Sequence, residues 1–350
     1  MSFKKMQSYI NKYILLTCSL FALLGAAACN SGKKAPDVSH IPMTVSIARF
    51  DSALFTLDTN NLQPGLAKLH ADYPLFLPVY ITDIMNLGAY SDSSREVMQQ
   101  LHLFLTTPDF RNLETAVSEK YGNLASLQQQ LTQGFRYIKY YIPAFRPPRV
   151  VTFISGIANY GAITVDSILG IGLDMYMGAD FPPYAQIPDY PDYMIQRFAP
   201  EYITTNCMQV LQQELYPAAR NSGGLLEQMM DAGKQQYFLD KVLPETPDTI
   251  RFGYTKDQLQ WCRENEQMIW QFLVQNNLLY SADWQQINHF MGDAPSTQGM
   301  PEGAPGKIGF FIGYQIVNKY MELHPAVTLQ QLMESKNLVE IFKAAKYRPK

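Results

Sequence analysis

The sequence predicts an α+β protein that is predominantly helical and carries a small central β-sheet. Of its 350 residues, 47% are hydrophobic and 17% are charged, a composition typical of an ordered globular chain with enough apolar material for a large core. Helical patterns prevail up to residue 147, and β-branched apolar runs begin only after it. We therefore expect one domain over residues 45–350, with a helical part at 45–147 and a sheet with further helices at 148–350.

The N-terminus has the pattern of a secretory signal peptide. Three lysines precede an apolar run over residues 13–28, and no acidic residue occurs in this part of the chain. Small residues stand directly before Cys29, as in a bacterial lipobox, although Ala26 occupies the position where Leu is usual. We predict a signal peptide at 1–28, lipidation of Cys29, and a lipid-anchored tether at 29–44. An ordinary signal peptide and a retained membrane anchor are the alternatives.

The charge of the chain excludes one class of partner. The net charge of -3 becomes -6 once the signal peptide is removed, because that segment carries three lysines and no acid. Such a chain lacks the basic field that nucleic-acid binding needs. We expect a lipoprotein of the bacterial cell envelope that its N-terminal lipid holds to the inner or the outer membrane, facing the periplasm.

The first half of the mature chain has the pattern of a short strand followed by short and medium helices. Residues 45–49 alternate as a strand does, and Phe50-Asp51-Ser52 then opens a helix with apolar residues on one face. Turn residues divide the helices that follow, and Asn123 is a suitable N-cap for a helix over 124–141.

Three apolar runs after Pro147-Pro148 predict the β-sheet. Residues 149–154 and 162–168 are rich in β-branched residues, residues 169–177 follow them, and all three runs are apolar on both alternating faces. Such strands are typical of a sheet that helices cover on both sides. The Pro- and Tyr-rich segment 180–200 is then a long loop of the kind that often lines a cleft.

Two helices in the last third of the chain have distinct signals. Residues 255–258 have the pattern of a capping box, which predicts a long helix running to about residue 277. Residues 307–323 form an apolar helix with a stripe of small residues on one face. These small residues are Gly306, Gly309 and Gly313. We expect another backbone to approach this face closely.

Two cysteines remain once Cys18 leaves with the signal peptide and Cys29 is acylated. These are Cys207 and Cys262. A disulfide between them is permitted outside the cytoplasm. Both also lie among apolar neighbours in helical patterns, where free cysteines pack as small buried hydrophobes. The sequence leaves both alternatives open.

The strong catalytic and metal-binding motifs do not occur in the sequence. It contains no H-E-x-x-H, C-x-x-C or G-x-S-x-G pattern, and its five histidines lie far apart. Gly306-Lys307 resembles part of a phosphate-binding loop, but Ile308 replaces the Ser or Thr that such a loop requires. We therefore expect no metal, no cofactor and no catalytic residue.

Asp174 stands out among the acidic residues because it lies within the apolar run 168–178. A buried carboxylate is costly unless it is paired or hydrogen-bonded. One interpretation is a strand-end residue that accepts hydrogen bonds from backbone amides of the following turn or pairs with an arginine. The other interpretation is the floor of a cleft. That cleft would also contain Tyr176, Asp180, Tyr184 and Glu201.

Several segments together are similar to one known family. The most specific is Gly-Leu-Asp-Met-Tyr-Met-Gly at 172–178, and others are Arg49-Phe50-Asp51 and Gly306-Lys307-Ile308-Gly309. These residues resemble the gliding-motility lipoprotein GldB family of Bacteroidetes over nearly the whole mature chain. The resemblance implies an envelope lipoprotein that is needed for gliding, a process tied to the type IX secretion apparatus.

The same resemblance implies a distant similarity to zinc peptidases, in which a helix carrying H-E-x-x-H packs against a later Gly-rich helix. The matching stretch here begins at Pro200, and Pro200 and Thr204 replace the two histidines. Only Glu201 remains of the motif, so the implied fold is a degenerate zincin-like peptidase fold without zinc and without peptidase activity.

We therefore predict a lipid-anchored envelope protein that acts as a non-catalytic scaffold or binding component of the gliding or secretion machinery, with envelope proteins as partners. One alternative is a metal-independent hydrolase that uses Asp174 and Glu201 as an acid and base pair. The other is a glycan-binding or small-ligand-binding lipoprotein that uses aromatic rings of the Tyr-rich loop. These rings belong to Tyr184, Tyr190 and Tyr193.

Overall fold

The computed structural model describes residues 35–91, 94–158, 160–218 and 223–349. The predicted signal peptide and Cys29 lie outside the described residues. One compact unit comprises Val38–Lys350. As predicted, the architecture is α+β and mainly helical, with a four-stranded mixed sheet. Within the ranges just given, no helix is both long enough and apolar enough to cross a bilayer.

The sheet brings together strands from both parts of the chain. Its strands are β1 (Ile47–Arg49), β2 (Arg149–Phe153), β3 (Ala162–Val165) and β4 (Ile168–Gly172). They are arranged β1-β2-β4-β3, with β1, β2 and β4 parallel and β3 antiparallel to β4. The central strand β4 is buried along its full length, whereas β3 is half-buried. The prediction that helices cover the sheet on both sides therefore holds for its centre and not for β3, which lies at its edge.

Two strand boundaries differ from the prediction. The strand expected over 169–177 ends at Gly172, where the chain enters a 3-10 helix over Leu173–Tyr176. This turn lets the carboxylate of Asp174 reach backbone amides in the loop that follows β2. The strand expected over 162–168 is interrupted because Asp166 adopts a φ of 49° in the turn between β3 and β4.

The helices vary from single turns to 18 residues. They are α1 (Phe50–Phe55), α2 (Leu62–Asp72), α3 (Phe76–Val79), α4 (Arg95–Thr106), α5 (Pro108–Lys120), α6 (Ala125–Tyr141), α7 (Asp192–Ile195), α8 (Ile203–Leu215), α9 (Leu225–Val242), α10 (Asp248–Phe252), α11 (Lys256–Glu264), α12 (Glu266–Gln275), α13 (Trp284–Met291), α14 (Ile308–Leu323), α15 (Leu329–Glu334) and α16 (Leu338–Ala345). A π-helical turn over Tyr80–Ile84 continues α3, and further 3-10 turns cover Pro182–Gln186 and Pro200–Tyr202.

Several helices begin where the sequence signals predict. Asn123 Oδ1 accepts a hydrogen bond from the amide of Ala125 at 2.8 Å, at the start of α6. The capping box predicted at 255–258 forms at the start of α11. The single long helix expected after it is wrong, because the chain breaks at Asn265 between α11 and α12. The side-chain amide of Asn265 donates to the carbonyl oxygen of Trp261 at this break.

The segment Arg49-Phe50-Asp51 fixes the end of β1 against its neighbours. Asp51 is buried and accepts hydrogen bonds from the guanidinium of Arg49 and, at 2.5 Å, from the hydroxyl of Thr152 on β2. Phe50 packs edge-to-face on Phe76 with ring centroids 5.0 Å apart. A buried charge with its partners and an aromatic contact thus join the sheet to the N-terminal helices.

Helices α9 and α14 cross with their backbones in contact. A Cβ atom at Gly313 would overlap the carbonyl oxygen of Met229, and one at Gly233 would overlap the backbone of Gly313. Gly309, four residues before Gly313, faces the sulfur of Met291 and the carbonyl oxygen of Phe290 at the end of α13, and then the side chain of Met229. The close approach predicted from the glycine stripe is therefore confirmed, and at Gly313 the partner backbone belongs to α9.

We expect Gly313→Ala to lower the free energy of unfolding by about 1–3 kcal/mol, because the added methyl group overlaps a backbone carbonyl that moves only if the two helices separate. Urea unfolding of the purified mature protein measures this loss. Gly65→Ala in α2 is the matched control, since its methyl group meets only the side chain of Leu57 and gains helix propensity. Equal effects of the two substitutions would contradict the backbone contact.

Candidate functional site

Three of the five residues predicted to form a cleft lie in the core. Asp174 and Tyr184 are 0% exposed and Tyr176 is 1% exposed, whereas Asp180 and Glu201 are exposed. The predicted cleft around Asp174 is therefore wrong, because these three side chains turn their polar atoms inward to hydrogen-bond partners and offer no face to a ligand.

The loop that follows β2 holds Asp174. The carboxylate accepts hydrogen bonds from the amide and the hydroxyl of Ser155, each at 3.0 Å, and from the amide of Ile157 at 2.7 Å. Gly156 and Ile157 have φ values of 72° and 63°, so the backbone curls around the carboxylate as an anion-binding nest. Backbone amides thus satisfy Asp174, but they belong to a distant loop rather than to its own turn or to an arginine.

Tyrosine hydroxyls fix the Pro- and Tyr-rich segment onto this loop. Tyr184 donates to the carbonyl oxygen of Asp174 at 2.6 Å and accepts from the amide of Met177 at 2.9 Å. Tyr190 donates to the carbonyl oxygen of Ile157 at 2.8 Å. Both rings are buried, so Tyr184 and Tyr190, two of the three tyrosines predicted to bind a ligand, instead pack in the core.

Cys207 and Cys262 are free thiols, and both are buried. The disulfide alternative is therefore not realised in the structure. Burial raises the pKa of Cys262 to about 12 and raises the pKa of Cys207 as well. Both cysteines pack as small hydrophobic side chains rather than as reactive thiolates.

A charged pocket lies between three loops that are distant in sequence. It is a cavity of about 120 Å³ whose charged side chains are Arg197, Asp293 and Lys307. Arg197 Nη2 contacts Oδ2 of Asp293, and Lys307 Nζ lies 3.1 Å from the same oxygen. Neutral side chains that complete the lining include Tyr193, Gln196, Tyr202, Tyr254 and Gln258.

Backbone contacts hold the loops of the charged pocket together. The buried hydroxyl of Tyr254 donates to the carbonyl oxygens of Gly306 at 3.1 Å and Lys307 at 2.9 Å. The amide of Lys307 donates to the carbonyl oxygen of Gly292 at 3.2 Å. Lys307 adopts a φ of 55° directly before α14. The pocket is thus built on fixed backbone rather than on free loop ends.

The charged pocket can bind small polar groups by charge and hydrogen bonds. Arg197, Lys307 and Asp293 are 20%, 28% and 31% exposed, so their charged atoms are partly accessible to solvent. Burial lowers the pKa of Lys307 and the charge of Arg197 lowers it further, while Asp293 opposes both effects. Only folding brings Arg197 together with Asp293 and Lys307, because they lie far apart in the sequence.

Sequence reasoning missed this charged cluster. Lys307 belongs to a motif that is incomplete as a phosphate-binding loop, and nothing in the sequence links Arg197 to Asp293, about a hundred residues away. The segment 180–200 gives a useful signal, because it is predicted to line a cleft and contributes Tyr193 and Arg197 to the pocket.

A second recess contains Glu201 and is named here the glutamine recess. Its volume is about 960 Å³, and it lies between α6 and residues 242–250. Its glutamines are Gln128, Gln129, Gln130 and Gln133. Thr204 donates to Oε1 of Gln130 at 2.8 Å within the recess.

Across the described part of the chain, no group of three or more His, Cys, Asp or Glu side chains is placed to share a metal ion.

A family model described as gliding motility protein GldB matches residues 31–349. The chain therefore belongs to the GldB family of gliding motility lipoproteins, which are proteins of the cell envelope. No curated protein and no solved structure matches the chain. The resemblance to GldB seen in the sequence is thus confirmed, whereas the similarity to zinc peptidases stays a prediction.

We expect Asp174→Asn to alter how stability depends on pH. Burial raises the pKa of Asp174 above its ordinary value of 3.8, and hydrogen bonds from Ile157 and Ser155 oppose this only in part. The folded state then binds the proton more tightly than the unfolded state does. The contribution of Asp174 to the free energy of unfolding therefore falls as pH rises above 3.8 through the folded-state pKa.

Urea unfolding at a series of pH values tests this expectation. Asp174→Asn should lack that component of the pH slope, and it should be less stable by about 1–3 kcal/mol because its amide group faces backbone donors. Asp180→Asn is the control, since the Asp180 side chain is exposed on the same segment. A pH slope that both variants share with the parent protein would refute the raised pKa of Asp174.

Proposed function

We propose that this protein is a lipid-anchored envelope component that supports gliding motility and the associated type IX secretion machinery through non-catalytic binding. Its membership in the GldB family supports the part in gliding. The burial of Asp174 carries the non-catalytic part of the proposal. A hydrolase that uses Asp174 and Glu201 needs both carboxyl groups beside the substrate, but Asp174 is enclosed and its oxygens accept bonds from Ser155 and Ile157.

The segment that would correspond to a zinc-binding helix also supports binding without metal chemistry. Pro200–Tyr202 form a 3-10 turn that precedes α8, so the motif is divided between two kinds of helix. Thr204 is buried and its hydroxyl donates to Gln130. Neither Pro200 nor Thr204 provides the imidazole that zinc prefers. Descent from a zincin-like fold stays a hypothesis.

We assign contact with the partner protein to the glutamine recess. Each glutamine side chain offers both hydrogen-bond donors and an acceptor, which complement the amide and carbonyl groups of a peptide backbone. The charged residues of its lining are Arg136, Glu201 and Glu245, so the recess has little net charge. A polar, uncharged segment of an envelope protein matches this lining better than a highly charged polymer does.

Pull-down from host membranes tests this assignment. A tagged chain with Gln129→Arg and Gln133→Arg is expected to lose envelope proteins that the parent chain retains, because it brings two unpaired charges into the interface. Mass spectrometry of the captured proteins measures the loss. Far-ultraviolet circular dichroism and thermal unfolding should show that the variant is folded.

Gln271→Arg together with Gln275→Arg is the matched control. These glutamines are exposed on α12, are also four residues apart, and lie outside the glutamine recess. The control should capture the same proteins as the parent chain. If the recess variant captures them equally well, the recess is not the contact surface.

A further inference from the structure

The charged pocket contains more positive than negative charge. Arg197 and Lys307 are cationic, Asp293 is the single acid in the lining, and the other lining residues are uncharged. Both cations contact the same carboxylate oxygen, Oδ2 of Asp293. One carboxylate cannot neutralise two cations, so one positive charge stays uncompensated by the residues of the pocket.

We propose that the charged pocket binds an oxyanion, namely the carboxylate or phosphate group of a small ligand, between Arg197 and Lys307. Guanidinium and ammonium groups form charge-assisted hydrogen bonds with both kinds of oxyanion. The cavity of about 120 Å³ is well above the roughly 10–15 Å³ that a cavity needs to hold one water molecule, so it admits such a group while the rest of the ligand stays outside.

The surroundings of Lys307 favour a bound anion. Lys307 directly precedes the 16-residue helix α14, whose N-terminus carries the positive end of the helix dipole. Burial lowers the pKa of Lys307, and the nearby charge of Arg197 lowers it further. An anion placed between the two cations relieves their mutual repulsion, which Asp293 offsets only in part.

The pocket is organised before any ligand binds. A Cβ atom at residue 253 would lie 3.0 Å from Cδ of Arg197, so Gly253, at a φ of 70°, gives the arginine room to lie against the backbone. Tyr254 holds the loop that carries Lys307 through its hydrogen bonds to Gly306 and Lys307. The ion pairs with Asp293 already order both cationic side chains, so binding loses little side-chain freedom.

Asp293 has a particular part in this proposal. It occupies the cations in the free protein, and it competes with an incoming anion for the same donors. Removal of its charge should therefore tighten anion binding, although it also removes two ion pairs. If Arg197, Asp293 and Lys307 serve only to stabilise the fold, Asp293→Asn lowers the stability and the variant does not respond to anions.

Inorganic phosphate and acetate are the probes that test the proposal. We expect at least one of them to raise the unfolding temperature of the lipidated protein in detergent in a saturable manner, relative to chloride at equal ionic strength. Saturation by phosphate alone assigns a phosphate group, and saturation by acetate alone assigns a carboxylate. Isothermal titration then gives the dissociation constant.

Variants locate the binding site. Arg197→Gln and Lys307→Gln should each weaken binding about tenfold, which corresponds to the loss of one good charged contact. Asp293→Asn should strengthen it by a similar factor. Lys319→Gln is the control and should bind as the parent chain does, because Lys319 is an exposed cation on α14 that pairs with Glu322.

The absence of a saturable response to either anion, in both the parent chain and Asp293→Asn, would overturn the proposal. Equal responses of the Arg197, Lys307 and Lys319 variants would overturn it as well, because they would place the anion elsewhere. Neither result affects the proposed partner contact, which rests on the glutamine recess and its own variants.

Discussion

The backbone contact between Gly233 and Gly313 is the constraint on which the C-terminal part of the domain depends. No side chain fits between α9 and α14 at either position, so the two helices have one close arrangement. That arrangement positions the start of α14 and therefore Lys307. The charged pocket follows from it, because Tyr254 and Gly292 bind the backbone of the residues that lead into α14. A packing requirement in the core thus sets the place of a charged group near the surface.

Buried polar groups have the corresponding role around the sheet. Asp51 is satisfied by Arg49 and Thr152, and Asp174 by Ser155 and Ile157. Each of these acids joins segments that are far apart in sequence, so each stabilises the tertiary fold rather than one element. The loops after β2 and β4 are consequently held firmly by these hydrogen bonds.

Local signals predicted local structure well, and tertiary constraints explain the remainder. The capping box at 255–258 and the glycine stripe on α14 depend on residues within one or two turns, and both were predicted correctly. The end of β4 was not, because it depends on amides in the loop after β2 that draw Asp174 out of the strand. The charged pocket was also missed, since Arg197 lies in one loop, Asp293 and Lys307 lie at the two ends of another, and no spacing in the sequence joins them.

We propose that this GldB-family protein acts by contact with partner proteins while a lipid holds its domain to the membrane. Native co-fractionation of the parent chain and Cys29→Ala from host membranes tests this most directly. We expect the parent chain to migrate in a large membrane complex with gliding or secretion components, and Cys29→Ala to be released as a soluble protein without them. A parent chain that migrates alone, or a Cys29→Ala chain that stays in the membrane complex, would contradict it.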